Sequence, residues 1–335
     1  MKLVTYRRSR NGVDEIGVLV DDTVVDLLGT IELQGGGERP DAHHLRMALT
    51  GPCGDPMGRL LSSWEVAKRD IDRLLSGVGV SSKLPLSSVV VQSPVPRPTS
   101  MRDGYAFRQH VEAARRNRGV PMIPEFDDFP VFYFTNHMAV TGPGDVLVRD
   151  EHLDRLDFEL ECAIVIGREG RDIAVVDADE FVAGFMVMND WSARRLQMDE
   201  MKLNLGPAKG KDFATSLGPY LVTPDELEDR CLRGTDGIRY DLAMVTRVNG
   251  VEVSRGNVRD MSWTFAQIIA RASYGVTLYP GDVIGSGTVG TGCFLELNGS
   301  KITDNWWLKE GDVVECEIDR LGCLRNTVVQ YTPVT

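Results

Sequence analysis

Short apolar runs broken by turn residues dominate the chain and predict strands more often than helices. KLVTY, EIGVLV and TVVDLL, separated by Asn11-Gly12 and Asp21-Asp22, predict an antiparallel meander at the start. Residues 32–60 are rich in Gly, Pro and polar side chains and show no clear period. In WEVAKRDIDRLLSG the apolar positions 64, 67, 71, 74 and 75 repeat at helical spacing, and Gly77 marks the stop. The run LPLSSVVVQSPVPRPTS follows. Pro94, Pro96 and Pro98 remove backbone donors and favour extended chain, so a rigid connector and a unit boundary are expected here. The expected units are residues 1–95, small and β-rich, and residues 96–335.

The second unit repeats one phrase three times: GPGDVLV from 142, YPGDVIG from 279 and KEGDVVECEI from 309. In each, Gly-Asp makes the turn and a β-branched run follows. The irregular spacing excludes a solenoid. Further strands are expected at FELECAIVIG, VAGFMVMND, PYLVT, YDLAMVTRVNGVEV and GCFLELNG, the NGVEV within them marking a hairpin. The expected class is α+β, β-dominated, with mixed strand pairing.

Composition narrows the partners. The chain has 335 residues, 42% hydrophobic, with a net charge of -12 that repels nucleic acid and anionic membranes. Arg115, Arg116 and Arg118 cluster without interleaved aromatics and read as a solvated helix face or an anion-binding rim. The six cysteines, at 53, 162, 231, 293, 316 and 323, form no CxxC pair and read as small residues in a reducing compartment. No apolar stretch has signal-peptide or membrane-span length, so a soluble, cytoplasmic protein is expected.

Four polar constellations carry candidate chemistry. MRDGYAFRQH places Asp103, Tyr105, Arg108 and His110 together. On a strand, Glu159 and Glu161 of FELEC share a face, which either is an exposed edge or has a cation between the two charges. In NDWSARRLQ, Asp190, Arg194 and Gln197 stand at i, i+4 and i+7, one helical stripe; an Asp N-cap with an ordinary salt bridge explains the first two. In GPAKGKDFATSLGP the glycines let backbone approach a ligand near Lys211 and Thr215, without P-loop spacing. Carboxylates at 103, 159, 161 and 190 with no accompanying cysteine suit a hard cation: Mg²⁺, Ca²⁺ or Mn²⁺.

DGYAFRQH, the ELE of FELECAIVIG, NDWSARRLQ, GKDFATSLGP and GSGTVGTGCFLEL occur in this order across roughly residues 100–300, and in this the chain resembles the fumarylacetoacetate hydrolase superfamily. The resemblance implies a small N-terminal domain, a rolled mixed-sheet catalytic domain and a homodimer. It implies Asp103, Glu159, Glu161 and Asp190 as ligands of a divalent cation, Mg²⁺ first among the candidates, with Thr215 also near it. His110 is then the general base and Glu296 its carboxylate partner. Arg194, Gln197 and Lys211 would steady developing negative charge, and Tyr105, Arg118 and Thr288 would contact a small keto-acid substrate. The expected reaction is hydrolysis of a carbon-carbon bond in a 1,3-diketo acid, fumarylacetoacetate-like or an acylpyruvate. A decarboxylase or tautomerase of a 2-oxo diacid, such as oxaloacetate or an oxo-heptenedioate, is the alternative. Met201 stands where the hydrolase proper has a substrate tyrosine, and Arg195 where an acidic residue is common; both differences point away from fumarylacetoacetate itself.

Overall fold

The computed structural model describes residues 1–35, 40–77 and 80–331. The first meander forms β1 (Lys2–Arg7), β2 (Glu15–Val20) and β3 (Thr23–Asp26), but the last residues of TVVDLL turn into α1 (Leu27–Leu33). Residues 32–60, without a readable period, hold α2 (Pro40–Thr50) and α3 (Pro56–Leu61). The Asp55 side chain caps α3 by accepting the Gly58 N–H, with Pro56 at its first position. The helix expected from residue 64 is α4 (Trp64–Ser76) and ends where Gly77 predicted. β4 (Ser82–Pro85) closes this segment by pairing with β3.

After residue 100 the main elements are β5 (Met101–Gly104), α5 (Arg108–Asn117), β6 (Phe132–Phe134), β7 (Gly144–Val148), β8 (Leu160–Ile166), β9 (Val182–Asp190), α6 (Arg194–Met201) and β10 (Thr215–Val222). They continue as β11 (Ala243–Val248), β12 (Val251–Asn257), α7 (Phe265–Ser273), β13 (Val283–Gly285), α8 (Phe294–Gly299), β14 (Val313–Ile318) and β15 (Gly322–Gln330). All three Gly-Asp turn phrases lead into strands, and Asn249-Gly250 makes the β11–β12 hairpin.

The class is α+β with a large mixed sheet of twelve strands, whose main path runs β4-β3-β2-β1-β10-β9-β8-β13-β5-β6. The meander is therefore part of the same sheet as the later strands, through the antiparallel β1–β10 pair. A second sheet of five strands has the order β12-β11-β14-β15-β7.

Side-chain alternation separates two cores. Ala163, Val165, Met186 and Met188 join Ile31, Leu45, Leu60, Trp64 and Ile71 of the helical layer. Cys162, Ile164, Ile166, Phe185 and Val187 face the other way, onto Val314, Leu324 and Val328 of the five-stranded sheet and Phe265 and Ile268 of α7. With both faces covered, every residue of β8 and β9 is buried, which is why these strands read as continuous apolar runs rather than alternating ones. Asp103, Glu161 and Asp190 continue the parity of Met101, Ala163 and Met188. They are the polar ends of apolar rows.

Two expected elements differ in the structure. GCFLELNG forms α8 rather than a strand: Phe294 and Leu297, one turn apart, are buried together, and the carboxylate of Asp157 accepts the N–H groups of Phe294 and Leu295 at 2.7 and 2.9 Å. Those amides belong to the first turn of a helix, where no internal acceptor exists. Asp190 ends β9 rather than starting a helix; α6 begins at Arg194. The proposed helical stripe and its Asp190–Arg194 salt bridge are thus replaced by contacts from two separate elements.

Candidate active site

Neighbouring strands in the half of the large sheet that ends at β6 bring the acidic residues together. Reading across β9, β8, β13, β5 and β6, the sheet presents Asp190, then Glu161 with Glu159 just before its strand, then Gly285, then Asp103, then Tyr133. Gly285 lies opposite Asp103 in the parallel β13–β5 pairing. A Cβ there would lie 2.8 Å from both Asp103 Oδ1 and Glu161 Oε2, so only glycine leaves space between these two carboxylates.

Ligand atoms of Asp103, Glu159, Glu161 and Asp190 lie within 4.8 Å of one another, and all four residues are buried. Asp103 Oδ1, Glu161 Oε1 and Asp190 Oδ1 have no hydrogen-bond partner. Buried carboxylate oxygens without donors are costly unless a cation takes their lone pairs, and an all-oxygen set suits a hard divalent ion. The residues present therefore fit such an ion.

The electrostatics agree with that fit. Burial, followed by the charge of Asp190, pushes the Asp103 carboxyl up to about 7. Burial and Asp103 push Glu161 well above the usual carboxylate range, and burial raises Asp190. Glu159 goes the other way. Burial opposes its charge, but Lys211 and Arg194 outweigh burial and hold it at about 2.

Lys211 donates to Glu159 and, at 2.7 Å, to Asp190 Oδ2. Burial would lower the Lys211 pKa, yet the charges of Asp190 and Glu159 raise it, so the ammonium stays charged. Arg194 donates from Nε to Asp157 Oδ2 at 2.8 Å, from Nη2 to Glu159 Oε1 at 2.7 Å and from Nη1 to Gln197 Oε1 at 3.0 Å. Gln197 thus joins the network through Arg194, one helical turn away on α6.

The histidine expected from MRDGYAFRQH lies on α5, and its Nδ1 is 2.6 Å from Glu296 Oε2 on α8. That contact leaves Nε2 for the cavity, which His110 and Glu296 both line. The Tyr105 ring meets the His110 ring edge-on, with centroids 5.9 Å apart.

The cavity has a volume of about 770 Å³. Its polar wall includes Asp103, Tyr105, His110, Arg118, Glu159, Arg194, Gln197, Lys211, Thr288 and Glu296, and the rest includes Val111, Ile123, Val131, Met198 and Met201. Arg115 and Arg118, from the basic cluster, reach its rim while Arg118 stays exposed. Glu161 and Asp190 are not among the residues that line it. Thr215 is buried and pairs with Asp190 across strands, and it too is absent from the lining.

Sequence reasoning missed three residues. Asp157, fully buried, ties Arg194 to the first turn of α8; it stands two residues before Glu159, and reading DFELE as one alternation would have added it. Tyr133 donates its hydroxyl to Asp190 Oδ2 at 2.7 Å and comes from FPVFYF, which carries no polar pattern. Gly285 stood in a turn phrase noted only for its strand.

A family model described as fumarylacetoacetate (FAA) hydrolase C-terminal matches residues 99–329. The chain belongs to the fumarylacetoacetate hydrolase family. It is 36% identical over 248 residues to a mitochondrial oxaloacetate tautomerase of Homo sapiens, covering 73% of this chain and 71% of that protein. It is 30% identical over 332 residues to a mitochondrial oxaloacetate tautomerase of Xenopus laevis, covering 98% and 90%. Among solved structures, the maleylpyruvate hydrolase from Sphingobium sp. SYK-6 shares the fold over 99% of this chain and all of its own, with a TM-score of 0.69 and 23% identity. Family membership makes this chain one of a group of enzymes acting on small keto acids. Among the described residues, no helix is long and apolar enough to cross a membrane.

Proposed function

We propose that this member of the family is an enol–keto tautomerase of a 2-oxo acid of the oxaloacetate type, acting with a divalent cation bound by Asp103, Glu159, Glu161 and Asp190. This reverses the order expected from sequence, where hydrolysis came first, because the two relatives described above, which match 73% and 98% of the chain, are oxaloacetate tautomerases. The observation that carries the reading is the 30–36% identity to oxaloacetate tautomerases over 73% and 98% of the chain, and the His110–Glu296 pair, which lines the cavity together with Asp103 and Glu159, supplies the base the reaction needs.

A cation held by Asp103, Glu159, Glu161 and Asp190 would supply Lewis-acid stabilisation of the negative charge that develops on the enolate. His110 removes a proton from the carbon next to the ketone, and Glu296 steadies the imidazolium by holding Nδ1. The proton added at the enol oxygen, or returned to carbon in the opposite direction, completes the isomerisation with no net change of atoms. Lys211 and Arg194 keep fixed positive charge beside the developing oxyanion. Tyr105, Thr288 and Arg118 are placed to orient the substrate, Arg118 by pairing with its distal carboxylate. Mg²⁺ is the first candidate for the cation, with Mn²⁺ and Ca²⁺ as alternatives.

The second reading is hydrolysis of a 1,3-diketo acid. It is favoured by one feature, the carboxylate behind the histidine, since a His–Glu pair can equally take a proton from water. The test follows the ultraviolet absorbance of enol-oxaloacetate and of acylpyruvates in solvent enriched in ¹⁸O. Faster enol loss with oxaloacetate recovered intact supports the tautomerase. Two acids from one substrate, with one ¹⁸O incorporated, support hydrolysis and overturn it.

A further inference from the structure

Cys293 lies beside the His110–Glu296 pair and has no part in the proposed reaction. It is the N-cap residue of α8, three positions before Glu296, with extended backbone. One ligand atom each from His110, Cys293 and Glu296 lies within 4.8 Å of the others, and all three residues are buried.

We propose that His110, Cys293 and Glu296 form a second cation site, selective for Zn²⁺, whose occupation switches the enzyme off. A nitrogen, a sulfur and an oxygen donor make the mixed set that zinc prefers, with three protein ligands and a fourth position open. His110 and Glu296 line the cavity, which supplies both the route in and the water for that position. The cluster of four carboxylates has no sulfur or nitrogen ligand and suits hard ions, so the two sites separate cations by softness. Binding releases the thiol proton to solvent, while the proton held between His110 Nδ1 and Glu296 stays on the imidazole by moving to the nitrogen that does not bind the metal, so His110 remains a neutral ligand. His110 then has its lone pair on the metal and cannot act as a base. The site is defined by geometry alone, so it stands whichever keto-acid reaction the enzyme performs.

Zn²⁺ is added to enzyme held in excess Mg²⁺, and turnover is followed for the wild type and for Cys293→Ser. Reversible inhibition is expected, relieved by chelator followed by Mg²⁺, with the half-inhibiting Zn²⁺ concentration raised about tenfold or more in the variant. Equal inhibition of both proteins would overturn the proposal by placing zinc on the carboxylates. A second readout needs no activity and no variant: Co²⁺ bound to wild-type enzyme in excess Mg²⁺ is expected to give a thiolate-to-cobalt charge-transfer band in the near ultraviolet. No band at saturating Co²⁺ overturns the proposal even if Cys293→Ser fails to fold. A band that persists in a folded Cys293→Ser assigns the sulfur to another cysteine and overturns it too.

Discussion

Asp157 and Arg194 are joined by a 2.8 Å hydrogen bond between Asp157 Oδ2 and Arg194 Nε, and both residues are buried. The same carboxylate accepts the Phe294 and Leu295 amides of α8. One buried acid therefore sets the position of the guanidinium beside Glu159 and of the helix that carries Glu296.

Asp157→Ala leaves Arg194 paired only with Glu159 among buried acids and leaves two α8 amides without an acceptor. Removing one member of a buried ion pair costs about 3–5 kcal/mol, and the surviving Glu159 contact places this loss near about 3 kcal/mol. Urea unfolding measures it. Turnover should fall as well, because Glu296 loses its fixed distance from His110. A variant with wild-type stability and turnover would show that Asp157 holds neither element.

His110→Ala should lower kcat by about 10²–10⁴-fold, the usual contribution of a positioned acid–base group. Mg²⁺ affinity, measured by calorimetry, should stay unchanged, since His110 is outside the cluster of four carboxylates. Retained turnover would remove His110 from the chemistry.

Gly285→Ala puts a methyl group 2.8 Å from Asp103 Oδ1 and Glu161 Oε2 and 2.9 Å from Met188 Sδ. The strand can keep its backbone, as Gly285 is not at positive φ, but the two carboxylates must move apart. Mg²⁺ affinity is expected to drop about tenfold or more, with circular dichroism unchanged. Wild-type affinity would mean that the acids reach the cation from another direction.

Chelated protein should lose stability as pH rises. Asp103, ordinarily near 3.8, lies near about 7 in the fold because burial and the Asp190 charge oppose ionisation. The folded chain thus binds more protons than the unfolded chain between these values, and its stability falls across that window. Glu159, held at about 2, contributes stability that is lost only as pH falls through its lower range. The melting temperature in chelator should therefore be lower at about pH 8 than at about pH 5, and added Mg²⁺ should shrink the difference. Equal melting temperatures in chelator would contradict the repulsion assigned to the four acids.

What the sequence revealed depended on range. Local signals were legible: the Gly-Asp turns, the Asn249-Gly250 hairpin and α4 with its Gly77 stop each need only neighbours in the chain. The carboxylates at 103, 159, 161 and 190 were legible as types and, through the family motifs, as a set. The strand order that makes them adjacent was not, because β13–β5 pairing joins residues far apart in sequence. GCFLELNG was misread for the same reason: six residues have no clear period, and the acceptor that favours a helix there is Asp157, distant in sequence. Tyr133 gave no signal because its partner Asp190 is a tertiary neighbour.

The parallel pairing of Gly285 with Asp103 also bears on how the chain folds. Its acidic centre cannot assemble until a segment of well over a hundred residues has been looped out and β13 has zipped onto β5, and non-local pairings of this kind slow folding. Cation capture by the four carboxylates is therefore expected to be a late kinetic event, coincident with β13–β5 pairing. In a refolding experiment, metal uptake would time the arrival of β13, after the local hairpin and α4 have formed.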